Sequence, residues 1–261
     1  MLGKLMKYEF KATGRMLLPL YAALLGFAII NKIFIGTNFN ETNIEFLGGI
    51  PAVITMIGYV VTMIAVFVGT FIITLQRFYK NLIGDEGYLM HTIPVKSWQN
   101  ILNKLLVSMI WTIVSVVVAG ISIAIMAYEP EAFKLMGGEF GRLIKELYSK
   151  YGIDVSVISI QLIVLGIVSL AHQITMFYAA LSIGQLFKSK KILGSFAGFM
   201  IISIAQQAIV GICATIVGNN LNFSYVSPQQ VFFSAIAISL LFLIALFFIT
   251  NYILKNKLNL E

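Results

Sequence analysis

The stretch PAVITMIGYVVTMIAVFVGTFIITL, residues 51–75, contains no charged side chain. A helix needs about 20 apolar residues to cross the hydrocarbon core of a bilayer. Backbone groups in lipid must be hydrogen-bonded within the segment, and the alternating pattern of a β-barrel strand is absent here. The sequence therefore predicts a membrane-spanning helix over residues 52–75.

Five further stretches have the same character. They cover residues of about 16–35, 102–127, 155–184, 192–217 and 230–254. Of the 261 residues, 59% are hydrophobic and 11% are charged, whereas roughly a quarter of the residues in a soluble domain are charged. We predict an all-α integral membrane protein with six transmembrane helices, in which residues 1–261 form a single transmembrane domain.

The lysines and arginines predict the orientation, because cytoplasmic loops carry an excess of them. With a cytoplasmic N-terminus, the inner segments hold most of the 18 cations, namely Lys4, Lys7, Lys11, Arg15, Arg77, Lys80, Lys96, Lys104, Lys188, Lys190, Lys191, Lys255 and Lys257. Both termini are therefore predicted to be cytoplasmic. The net charge of +7 reflects topology, and we do not expect the chain to bind nucleic acid.

Residues 1–15 predict an amphipathic interfacial helix. At 100° per residue, Lys4, Lys7, Lys11 and Arg15 fall on one arc, where they would meet anionic lipid headgroups. Glu9 projects from the opposite, apolar face. It is either locally paired or in contact with a cationic group on a partner protein.

Residues 128–153 predict an extracellular amphipathic segment. Its apolar residues recur at helical spacing, as Phe133, Met136, Phe140, Leu143, Ile144 and Leu147. Packing on the spans and engagement of a substrate both remain open for this segment.

The sequence lacks the common catalytic motifs. It contains no G-x-x-x-x-G-K-[ST], H-E-x-x-H or G-x-S-x-G pattern. Cys213 is the only cysteine, so neither a disulfide framework nor a thiolate metal site is expected. We predict no catalytic residue, metal site or cofactor within this chain.

A few polar or small residues interrupt the predicted spans. His172, Gln173, Gln206 and Gln207 are costly in hydrocarbon unless they face other helices or water. They either form hydrogen bonds between helices or line a translocation path. Gly194 and Gly198 form a small-x-x-x-small pattern that suits close approach of two helices.

The inner segment 77–101 combines charges, aromatic residues and turn residues. It includes DEGYLMHTIPVKSWQN, residues 85–100. Gly84 and Gly87 allow sharp turns, and Asp85 can cap a short helix over Tyr88, Leu89 and Met90. Pro94 ends that helix, and Ser97 can cap the next, which leads into span three.

This layout resembles the permease subunit of type-2 ATP-binding-cassette exporters, particularly the short six-span permeases of Gram-positive bacteria. The resemblance implies a bacterial cytoplasmic membrane and export of a peptide or amphiphile. It also implies a separate ATP-binding subunit in two copies, which binds ATP and Mg²⁺, and a second permease chain, the same or homologous.

The resemblance further assigns roles to individual residues. Segment 77–101 becomes a coupling segment, whose contacts to the ATPase are Asp85, Glu86, Tyr88, Leu89, Met90 and also Glu9 from residues 1–15. Gly194 and Gly198 become a contact between the two permease chains. The alternative is a channel or membrane scaffold outside this transporter class, whose cytoplasmic loop binds another partner.

Overall fold

A computed structural model describes residues 2–36, 50–84, 87, 96–129, 138–139, 141–146, 148–149, 155–187, 190–220 and 228–257. The long helices are α1 (Leu2–Gly36), α2 (Ile50–Phe78), α3 (Ser97–Ala127), α4 (Val155–Gly184), α5 (Lys191–Asn220) and α6 (Pro228–Asn256). Among the described residues there is no strand, and six helices are long and apolar enough to cross a membrane. The prediction of an all-α protein with six candidate spans is confirmed, and the chain is a multi-pass membrane protein.

Helix α1 runs without a break through residue 15, where the sequence suggested a boundary between an interfacial helix and the first span. The reason lies in its buried face, which keeps one helical phase along the helix as Glu9, Thr13, Leu17, Tyr21, Leu24, Ala28 and Asn31. Pro19 lies inside the helix without ending it. The interfacial segment and the first span are therefore one continuous helix, and the interfacial position of residues 1–15 stays a prediction.

Two compact units divide the chain, and each contains parts of α2 and α3. Unit 1 consists of Met1–Thr74 and Leu106–Arg142, so it holds α1 and the greater part of α2 and α3. Unit 2 consists of Leu75–Leu105 and Leu143–Glu261. It holds α4, α5 and α6 together with the ends of α2 and α3 that flank residues 85–95.

The core of unit 1 is apolar and aromatic. Leu17, Tyr21 and Leu24 of α1 pack with Val66 of α2 and Trp111 of α3. A side chain at Gly58 of α2 would come within 2.7 Å of the Phe27 ring. The lack of a side chain there allows α1 and α2 to approach closely.

Hydrogen bonds between helices cross this core at several levels. Ser115 Oγ lies 2.8 Å from both Tyr21 Oη and Thr70 Oγ1, and Tyr59 Oη lies 3.0 Å from Ser122 Oγ. The opposite face of α3 is apolar and exposed, with Val116, Val117 and Ile121 about half exposed. Polar groups on the inside and apolar groups on the outside are the pattern expected of helices in lipid, where such hydrogen bonds help association.

Replacing Ser115 by alanine is expected to lower the free energy of unfolding by about 1–2 kcal/mol, because two buried hydroxyl groups lose their shared partner. The matched control is Ser182→Ala. Ser182 is equally buried, and its hydroxyl is bonded to Tyr178 O of its own helix. Thermal unfolding in detergent should show a clear fall for Ser115→Ala and a smaller one for the control; equal falls would contradict the assignment.

Unit 2 is organised around α4, which packs against both α5 and α6. Met176 and Ala179 of α4 form a core with Leu246 of α6, and Phe199 and Ile202 of α5 pack on it. The rings of Phe177 and Phe199 are stacked with centroids 5.2 Å apart. Helix α4 is thus the central helix of this unit.

Gly194 and Gly198, predicted to contact a second permease chain, are buried within this chain. A Cβ at Gly194 would overlap the Phe187 ring and lie 3.2 Å from Gly184 O. A Cβ at Gly198 would lie 3.1 Å from Ile183 Cγ2. The two small residues allow α5 to approach α4 within this chain, and their contact with a second permease chain stays a prediction.

Candidate functional site

A π-helix, Tyr79–Ile83, extends α2 toward the predicted coupling segment. Gly84 N donates to Tyr79 O at 2.8 Å, and Gly87 N donates to Gly84 O at the same distance. The first bond closes a wide helical turn. Short π-helical turns of this kind occur frequently at functional sites.

The π-helix is anchored by buried aromatic and aliphatic side chains. Phe78 and Tyr178 are both fully buried, and their rings stack with centroids 3.8 Å apart and planes within 7° of parallel. Leu82 and Ile83 are also buried. The stack joins the end of α2 to α4. The helix end that precedes residues 85–95 is therefore fixed by packing.

The other flank of this segment is the start of α3 at Ser97. Gln99 N donates to Lys96 O at 2.9 Å in the first turn. Ile101 and Leu105 are buried in the turns that follow, while Trp98 is 41% exposed. Both flanks of residues 85–95 thus belong to unit 2, the unit that contains α4, α5 and α6.

The predicted contacts of the coupling segment have different outcomes. Asp85, Glu86, Tyr88, Leu89 and Met90 lie outside the described residues. Glu9 is in unit 1 and only 7% exposed, because it continues the buried face of α1. The predicted contact of Glu9 to a partner ATPase stays a prediction.

The structure adds a buried polar group that the sequence analysis missed. Asn100, Asn103 and Lys104 are 3%, 1% and 2% exposed, although Lys104 was counted only as a charge of the inner face. Their spacing of three and four residues was the available signal, because it places them on one side of α3. Buried ionisable groups in membrane helices are uncommon and mark functional positions.

His172 and Gln206 form the polar pair at the centre of α4 and α5. Gln206 Nε2 lies 3.0 Å from His172 Nε2, and the His172 ring stacks on Phe242 of α6 with centroids 6.0 Å apart. With the amide nitrogen as donor, the ring Nε2 accepts, and the neutral ring then carries its proton on Nδ1. The pair can therefore offer donors and an acceptor to another polar group.

Gln173 and Gln207, their neighbours in sequence, do not join this pair. Both are exposed, because adjacent residues on a helix point about 100° apart. The structure thus brings together two of the four polar residues predicted for a translocation path. The other two lie on surfaces that face away from the α4–α5 contact.

Comparison of the chain with family models, with curated proteins and with solved structures gives no match.

Proposed function

We propose that this chain is the membrane-spanning permease subunit of an ATP-driven exporter. The observation that carries the proposal is the packing of the two helix ends that flank residues 85–95. Their two flanks are in the same compact unit as α4, α5 and α6, and the Phe78–Tyr178 stack joins one flank to α4. A movement that a partner imposes on residues 85–95 would therefore be transmitted to α4, α5 and α6.

The proposal assigns ATP binding and hydrolysis to a separate subunit in two copies, with Mg²⁺ bound there. The permease catalyses no reaction alone. The composition of residues 85–90, with two acids followed by Tyr88, Leu89 and Met90, suits a cleft that has cationic and apolar walls. The complex would lie in a bacterial cytoplasmic membrane with both permease termini inside.

A second permease chain, identical or homologous, completes the proposed complex. The cargo is a peptide or an amphiphile, in keeping with the resemblance. The polar pair of His172 and Gln206 supports a position for the cargo near the middle of α4 and α5, because its hydrogen bond joins the two helices there.

Complex formation tests this proposal. The chain is co-expressed with an ATP-binding subunit encoded next to it and purified in detergent through a tag on the permease. We expect two ATPase subunits to co-purify with two permease chains. If the ATPase is expressed but does not bind, the proposal is wrong, and the channel or scaffold interpretation gains support.

A further inference from the structure

One face of α5 changes from half-buried to exposed along its length. Ser195, Phe199, Ile202 and Gln206 are half-buried on the side that meets α4. Cys213 lies within about 20° of Gln206 around the helix and about 10 Å further along it. Nevertheless Cys213 is exposed, as are all the residues from 207 to 215.

The glycines show the same change in the spacing of α4 and α5. Close to the turn at residues 185–186, a Cβ at Gly184 or Gly198 would contact the facing helix. Further along, a Cβ at Gly166 of α4, which lies on the same side of the helix as Gly184, would meet nothing within 4 Å. The two helices therefore pack closely as far as His172 and Gln206 and separate beyond them.

Helix α6 stays with α4 beyond this point. Gln161 Nε2 of α4 donates to Gln229 O of α6 at 3.3 Å, close to the ends of both helices. A crevice thus opens between α5 and the pair of α4 and α6, and we call it the α5 crevice. Its closed end is the His172–Gln206 pair, and Ile209, Val210 and Cys213 lie on the α5 side.

The closed end has unused hydrogen-bonding capacity. Gln206 retains Oε1 and one N–H, and His172 retains one ring nitrogen, without another hydrogen bond in the described part of the chain. Such groups cost free energy in hydrocarbon unless a polar partner reaches them. A ligand that ends in a polar group would supply that partner, with its apolar part along α5.

Charge limits the kind of polar group. The described residues of α4 contain no charged side chain, and those of α5 and α6 contain only Lys191 and Lys255. Lys191 is the first residue of α5, and Lys255 lies in the last turn of α6. His172 and Gln206 thus lie among uncharged residues of these helices, where an ionised ligand would have no charged partner.

We propose that the α5 crevice binds an uncharged amphiphile, whose hydroxyl or amide group bonds to His172 and Gln206 and whose hydrocarbon chain lies against Ile209, Val210 and Cys213. The proposal deepens the proposed function. It rests on that function only in treating the bound amphiphile as cargo. Binding itself requires no ATPase.

Cys213 provides the test, because it is the only cysteine and N-ethylmaleimide reacts with the thiolate. The purified chain is placed in phosphatidylcholine nanodiscs, and the rate of Cys213 modification is measured with increasing monooleoylglycerol. We expect monooleoylglycerol to slow the reaction about tenfold. Methyl oleate has the same chain and no hydroxyl group, and it should have a much smaller effect.

Two variants test the His172–Gln206 pair, and a third tests which face of α5 is protected. Gln206→Leu and His172→Phe should each raise by about tenfold the monooleoylglycerol concentration that half-protects Cys213, since hydrogen bonds to the ligand are lost. Gel filtration checks that both variants are folded. In the double variant Cys213→Ser with Thr215→Cys, the thiol points about 200° away from the crevice. Its reaction should be unaffected.

Three results would overturn the proposal. If methyl oleate protected Cys213 as well as monooleoylglycerol does, or if monooleoylglycerol protected a cysteine at residue 215 equally, the crevice would contain ordinary lipid. If Cys213 were fully protected in both Gln206→Leu and His172→Phe, these two residues would not take part in binding. Rapid oxidative cross-linking through Cys213 into dimers, without protection by monooleoylglycerol, would show that a second copy fills the crevice. Because no ATPase is present, these results are independent of the co-purification test.

Discussion

Replacing Gly184 by valine is expected to prevent α4 and α5 from packing and to give the largest loss of stability in the chain. A Cβ at this position would overlap Ser195 Oγ and lie 2.7 Å from Lys191 O and Ser195 N. Two of these atoms belong to the backbone, so rotation of a side chain cannot relieve the overlap. Overpacking a close contact costs about 1–3 kcal/mol, and we expect the upper end of that range or more.

The matched control is Gly166→Val on the same helix, where a Cβ would meet nothing within 4 Å. Folded yield and the midpoint of thermal unfolding in detergent measure both variants. Gly166→Val should behave like the parent chain, whereas Gly184→Val should aggregate or unfold at a much lower temperature. Similar behaviour of the two variants would refute the close contact of α4 and α5 at Gly184.

The second large effect is expected from Glu86→Lys, under the proposal that residues 85–90 dock on an ATPase. Loss of a charge-assisted contact costs about 1.5–3 kcal/mol, or about 10- to 150-fold in affinity, and reversal of the charge adds repulsion. The variant should insert normally, bind its ATPase weakly and lose substrate-stimulated ATP hydrolysis. Glu86→Ala should show the same defects to a smaller extent.

Glu129→Lys serves as the control for Glu86→Lys, because it makes the same change of charge at an exposed residue that follows α3. It should leave ATPase binding and ATP hydrolysis unchanged. If both Glu86 variants kept full substrate-stimulated ATP hydrolysis, Glu86 would be an ordinary solvated acid without a role in docking. The coupling role would then have to rest on Tyr88, Leu89 and Met90.

The helices themselves were predictable because hydrophobicity alone determines which segments can enter a bilayer. Residues 155–184 were predicted with the bounds that α4 has in the structure. Helix α3 begins at Ser97, five residues before the predicted span at 102, and Ser97 as a candidate cap indicated this start where the apolar stretch did not. Length and apolarity define a span, but they do not define where its helix begins.

The partners of individual side chains were less predictable, because they depend on how helices are rotated against each other. The sequence selected His172, Gln173, Gln206 and Gln207 as equivalent, and only the packing of α4 and α5 separates the paired from the exposed residues. The spacing of Gly194 and Gly198 predicted close approach correctly. It contained no information about whether the approaching helix belongs to the same chain.

Glu9 and Lys104 show the limit of reasoning from charge. Lys104 was counted as a charge of the inner face because charged residues usually lie in water, whereas Glu9 was placed on the apolar face of its helix; both are more than nine-tenths buried. For Glu9 the signal was present, since it lies on the apolar face of its helix. For Lys104 the signal was its spacing from Asn100 on α3, which a count of charges per segment does not use.

Site-specific photocross-linking tests the central claim most directly. A photoreactive phenylalanine analogue replaces Tyr88 in the segment 77–101, or Tyr148, which is 66% exposed in the segment 128–153, and each variant is irradiated in the complex with the ATPase. The account predicts a covalent link to the ATPase from position 88 and none from position 148. A complex that forms without a link from position 88, or that links through position 148, would contradict it.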